Sequence, residues 1–339
     1  MKTQMKNTLI AAMLIATVAA CDDEDTGFLI PKGEINEVHL ENSAYTHQSY
    51  FDLSSNSVVL SVEIADWDLE VETSGQMEVI KLNPANSYRV FKTTSTDIND
   101  EITLPEIPDW TFDNPSGNLA DLSFYNWSDN EVYVIGKKED SYDPTVPSIV
   151  PFAKVSFVKT GEGITVNWMK TDESTVSEVN LKTTSSSHPY TWFSFEESGE
   201  ATIQPPSPSD YDLIITSFTG EVPDGEVSYV FELRGALTNR ASGVTSYRYN
   251  PGEAEDDEYI EIFNNLTTDN IEIEEYNAEA DAIGYDWKSF SRATMSYEID
   301  KSNMFFVRDN DGNNYKLRFT NYYNTNGDKG YISFTYALL

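Results

Sequence analysis

The chain has 339 residues, with 22 Lys and Arg against 57 Asp and Glu, and a net charge of −35. A surface of that sign repels phosphate backbones and anionic lipid, so it excludes nucleic acid as a partner and leaves membrane attachment to something other than charge. Hydrophobic residues make up 39% and aromatic residues 13%, including 20 Tyr and 17 Phe, which suits packed cores of antiparallel β structure.

Residues 1–20 are expected to be removed before folding. Lys2 and Lys6 precede an apolar run, Leu9 to Val18, that is too short to span a hydrocarbon layer of about 30 Å and has the layout of a secretory signal. It ends in Ala19-Ala20-Cys21, which resembles a bacterial lipobox. Cys21 is the only cysteine, so no disulfide framework competes for it. The expected anchor is therefore a lipidated Cys21, followed by an acidic tether over 21–34 that opens with Asp22-Asp23-Glu24-Asp25. That acidic run resembles the export tag of surface lipoproteins in Gram-negative bacteria and points to an outer-membrane lipoprotein displayed at the cell surface.

Beyond the tether the chain reads twice. Val38-His39-Leu40 and Tyr50-Phe51-Asp52-Leu53 parallel Val179-Asn180-Leu181 and Trp192-Phe193-Ser194-Phe195. Asp66-Trp67-Asp68-Leu69 parallels Asp210-Tyr211-Asp212-Leu213, and Val155-Ser156-Phe157 parallels Leu317-Arg318-Phe319. Order and alternation are kept throughout. Two tandem antiparallel β-sandwich domains are expected, 35–172 and 173–339, joined by the polar segment Thr171–Ser177. Trp67 and Tyr211, repeated at one place, are read as packing residues. The stretch Pro105–Gly117 reads as an irregular crossover, and Lys137–Pro151 and Pro251–Glu258 as surface loops.

The second copy closes with three strands, around Met304–Arg308, Tyr315–Phe319 and Ile332–Tyr336, separated by residues that tolerate positive φ. Asp309, Asp311 and Asn313 begin like a calcium loop, but Gly312 is misplaced and Thr320 stands where a bidentate Glu would be needed, so a hairpin turn is expected. No nucleophile elbow, phosphate loop, HExxH or cysteine cluster is present, and the chain is read as a binding protein rather than an enzyme.

The strands Phe305-Phe306-Val307-Arg308, Lys316-Leu317-Arg318-Phe319-Thr320 and Ile332-Ser333-Phe334-Thr335-Tyr336, with Trp287 to Ser291 upstream, resemble the C-terminal region of the HmuY family, haem-binding lipoproteins of all-β fold. The resemblance implies haem as the cofactor and delivery to an outer-membrane transporter. Some members of that family use paired histidines. Here the position after Phe290-Ser291 is Arg292, and His39, His47 and His188 fall at none of the family's ligand positions. Met295 becomes the haem-iron candidate, with Tyr297 behind it, because thioether ligation has precedent. Arg292 and Lys288 become the candidates for the haem propionates. The alternative is another small hydrophobic ligand, or an adhesion or interaction lipoprotein that kept the scaffold and lost the cofactor ligands.

Overall fold

Alternating apolar and polar residues become strands along most of the chain, because an extended segment can bury one face and wet the other. The computed structural model describes residues 30–75, 77–104, 109–138 and 149–339. The first half supplies β1 (Asn36–His39), β2 (His47–Asp52), β3 (Ser57–Glu63), β4 (Leu69–Glu72), β5 (Ile80–Leu82), β6 (Tyr88–Lys92), β7 (Val132–Lys138), β8 (Ile149–Thr160) and β9 (Gly163–Lys170). The second supplies β10 (Ser177–Lys182), β11 (Tyr190–Ser194), β12 (Gly199–Glu200), β13 (Leu213–Asp224), β14 (Val227–Thr238) and β15 (Thr245–Tyr249). After the helix α1 (Asp256–Asn265) come β16 (Lys288–Ser291), β17 (Ser296–Ile299), β18 (Met304–Arg308), β19 (Asn314–Tyr323) and β20 (Lys329–Leu338). The ladders between these strands are antiparallel. The fold is all-β.

Two five-stranded sheets run β1-β20-β19-β18-β15 and β10-β9-β8-β7-β6, and two four-stranded sheets run β14-β13-β2-β3 and β12-β11-β4-β5. The layouts match once β1–β3 are equated with β10–β12, but those two triplets have changed places. β1–β3 complete the sheets of the second half, and β10–β12 complete the sheets of the first. Phe51, Leu213 and Ile215 on one four-stranded sheet share a core with Phe305, Leu317 and Phe334 on its five-stranded partner. Leu69, Val71 and Phe193 share another with Val155, Val166 and Trp168.

The expected division at 172/173 therefore does not separate closed units. Residues 171–177 join β9 to β10, which pair directly across Ser177↔Trp168 to Lys182↔Gly163. One sandwich is continuous, β4 to β12. The other is assembled from β1–β3 and β13–β20. Sequence parallels identify equivalent strands and carry no information on which copy a strand joins.

Two mirrored corners carry the chain between the sandwiches. Short 3-10 turns at Ile64–Asp66 and Pro208–Asp210 lead into Trp67-Asp68 and Tyr211-Asp212. The Asp68 carboxylate accepts the amide of Phe195 at 2.7 Å, and the Asp212 carboxylate accepts the amide of Leu53 at 2.9 Å. Each aspartate thus grips the triplet that came from the opposite half. Asn83 and Asn239 brace the corners, donating to the Trp67 and Tyr211 carbonyls at 2.9 Å each.

The closing meander has its expected strands. Asp309 closes the β18–β19 turn by accepting the Asn313 amide at 2.8 Å, and Gly312 takes φ 84° there. The acidic stretch expected as a loop over Pro251–Glu258 instead enters α1 at Asp256, because Glu255 and Glu258 form a capping box and acidic residues fill the first turn. Phe263 docks the helix against Tyr247, Met304 and Phe306, and the Lys316 ammonium caps its end by donating to the carbonyls of Asn264 and Leu266.

Candidate functional site

The residues expected to hold a cofactor lie on the β16–β17 hairpin, which has no equivalent among the described residues of the first half. Met295 sits at its turn, 73% exposed, with φ 54°. A methionine in the left-handed region costs on the order of 1 kcal/mol relative to glycine. Arg292 is exposed in the same turn, and no carboxylate pairs with it among the described residues. Phe290, 47% exposed, completes the set and meets Tyr297 edge-on at 5.3 Å between ring centroids. Together they present an aromatic ring, a thioether and a guanidinium at one exposed tip.

Lys288 stands apart from that group. Its ammonium is buried, donates to the Arg234 and Tyr285 carbonyls at 2.5 and 3.1 Å, and lies over the rings of Trp287 and Tyr322. Burial, reinforced by repulsion from Arg234, holds it down to about 7. Tyr297 is likewise turned toward protein, packing on Tyr322 and donating its amide to the Tyr323 hydroxyl. The histidines are scattered: His39 bonds Ser333, His47 bonds Thr46 and His188 bonds Ser187. No cluster of His, Cys, Asp and Glu suited to a metal ion occurs among the described residues. Cys21 and the acidic run lie outside the described residues, and no described helix is long and apolar enough to cross a membrane.

A second feature escapes the sequence altogether. The two four-stranded sheets turn their outer faces toward each other, and a cavity of about 370 Å³ lies between them. At one edge of it Trp67 stacks on Trp192 at 4.5 Å, and Tyr50 meets Tyr211 edge-on at 4.9 Å. These are equivalent pairs, each joining one half to the other. Trp67 and Tyr211 are packing residues, as expected, and they also stand in the cavity wall.

Polar groups of that wall are mostly answered within it. Glu70 pairs with Lys81 at 2.7 Å and also accepts the Trp192 indole. Asp113 accepts the amides of Leu82 and Ser123, both at 2.7 Å, and burial pushes its carboxyl up. Gln48 accepts the Trp67 indole at 2.8 Å, while its amide nitrogen is buried with no partner. Met77, 57% exposed, is also part of the lining. No periodicity could have revealed this space, because its walls come from segments more than a hundred residues apart.

The family model for the HmuY protein matches residues 44–336. No curated protein matches the chain. Among solved structures, a Bacteroides vulgatus protein assigned as HmuY-like and haem-binding is 12% identical, the alignment covering 92% of this chain and 96% of that one, with a TM-score of 0.25. The apo HmuY analog of Tannerella forsythia is 12% identical over 91% and 98%, with a TM-score of 0.25. Apo PinO from Porphyromonas gingivitis is 10% identical over 90% and 97%, with a TM-score of 0.24.

Proposed function

The chain belongs to the HmuY family, and from that premise we propose that it captures haem at the β16–β17 tip while tethered to the outer membrane through Cys21. The observation that supports the site is Met295 itself. A bulky residue stands at φ 54°, where glycine would be easier, and its thioether is exposed. Haem iron accepts a soft axial donor, which a thioether supplies. Arg292 has a guanidinium that no carboxylate pairs with among the described residues, as a propionate requires, and Phe290 offers an apolar edge to the porphyrin. Lys288 is already committed to two carbonyls, so the propionate role rests on Arg292. Release of haem to an outer-membrane transporter completes the proposed role, and it involves no bond-making chemistry by the protein.

Haemin titration followed by absorbance tests the site. The parent protein is expected to give a saturable Soret shift. Met295→Gly should abolish that shift while leaving the fold at least as stable, because glycine relaxes the turn. Met77→Ala, at the other exposed thioether described above, should leave the spectrum unchanged. A Soret shift that survives Met295→Gly contradicts the assignment.

One observation favours the interaction module as a second reading. Val227, Tyr229 and Phe231 are all exposed at alternate positions on β14, an edge strand. That edge is bridged at Ala236 by Gly284 but carries no further strand over 227–231 among the described residues. An open edge with an apolar stripe suits strand addition by a partner. Absence of any haemin response in the parent protein would favour this reading.

A further inference from the structure

We propose that the cavity between the two four-stranded sheets is a second ligand site, taking an uncharged ring compound that carries a carbonyl or ether oxygen at its inner end. Its place and size are those of a small-molecule site: about 370 Å³ at the meeting of two sandwiches. Apolar groups, among them Ile214, Phe218 and Leu237, form much of the wall. The site is distinct from the hairpin tip and does not depend on haem being bound there.

Charge accounts for the neutral ligand. The buried ionic groups of the wall are already satisfied by protein. Glu70 and Lys81 neutralise each other, and Asp113 is held by two backbone amides. Deep in the cavity a charged ligand would lose its hydration without gaining a free counter-charge. Arg240, which no carboxylate pairs with among the described residues, donates to the Ala278 carbonyl at 2.6 Å from a solvent-exposed position where its charge is screened. The unanswered groups are hydrogen-bond donors. The Gln48 amide nitrogen is buried and unpartnered, in a side chain fixed by its bond to the Trp67 indole. The Tyr50 and Tyr211 hydroxyls make no hydrogen bond to any described residue, and burial keeps both protonated. The Gln48 donor is buried and unmet, which is costly, and with the two hydroxyls beside it calls for an acceptor on the ligand.

The probe is 6-propionyl-2-(dimethylamino)naphthalene, an uncharged bicyclic ketone whose emission reports both polarity and hydrogen bonding to its carbonyl. With the full mature protein, one-site saturable binding with blue-shifted emission is expected. Tyr50→Phe combined with Tyr211→Phe should weaken binding at least fivefold without moving the circular dichroism spectrum. Ala241→Trp, at the exposed rim, should weaken it at least tenfold. Leu119→Trp, also exposed in the lining, serves if the first rim variant fails to fold. The anionic probe 8-anilinonaphthalene-1-sulfonate should bind at least tenfold more weakly than the ketone, and haemin should not displace the ketone. Absence of saturable ketone binding, or parental affinity in both the rim and hydroxyl variants, overturns the site. Equal binding of the anion, or displacement by haemin, overturns the ligand class.

Discussion

Asp212 and Lys288 show how single buried charges tune this fold in opposite directions. Burial raises the Asp212 carboxyl to about 7, despite the bond it accepts from the Leu53 amide. Its folded value lies above the unfolded one, so the native state holds the extra proton between about pH 4 and 7. Stability from this group therefore falls as pH rises across that window. Lys288 is held down to about 7, well below the ordinary lysine range. The unfolded chain carries the extra proton above pH 7, so stability from this group rises toward pH 10. Urea melts at a series of pH values check both signs. Asp212→Asn, which keeps an acceptor for Leu53, should flatten the acid limb. Lys288→Met should flatten the alkaline limb and lower stability by about 1–3 kcal/mol through two orphaned carbonyls. A slope unchanged in either variant contradicts the corresponding assignment.

At the scale of elements, α1 and the β16–β17 hairpin distinguish the second half from the described residues of the first. The helix covers the outer face of β15 and β18 through Phe263, which is buried against Tyr247, Met304 and Phe306. Phe263→Ala should cost about 3–5 kcal/mol, and hydrogen exchange should show α1 losing protection before the strands. Uniform loss of protection would mean the helix is integral to the sheet rather than docked on it. Strands such as β18 were legible in the sequence because Met304–Arg308 is a short apolar run bounded by turn residues. The helix start was not, since Glu253 to Glu258 reads as a solvated charge run until Glu255 and Glu258 are seen to cap each other. The hairpin tip was legible only in part. Met295, Arg292 and Lys288 are close in sequence, but strand geometry sends Lys288 inward while Met295 and Arg292 stay at the turn. The cavity was invisible, because Gln48, Tyr190 and Tyr211 converge only after the halves have exchanged strands.

For the whole molecule, the exchange of β1–β3 with β10–β12 decides what can fold alone. Without β10–β12, the first half would expose the Leu69, Val71 and Trp168 faces that Leu181 and Phe193 cover. Burial of such side chains contributes about 1.5–3 kcal/mol each, so exposing several of them together removes most of the roughly 5–15 kcal/mol that a domain has in reserve. We read the architecture as a repeated unit whose two copies close on each other's strands, which is also what brings the two outer sheet faces together around the cavity. Thermal melting of two isolated segments, followed by circular dichroism, tests this most directly. Segment 66–203, holding β4 to β12 entire, should give a β spectrum and a cooperative melt, while segment 35–172 should be unfolded. A cooperative melt from 35–172, with 66–203 unfolded, would contradict the account.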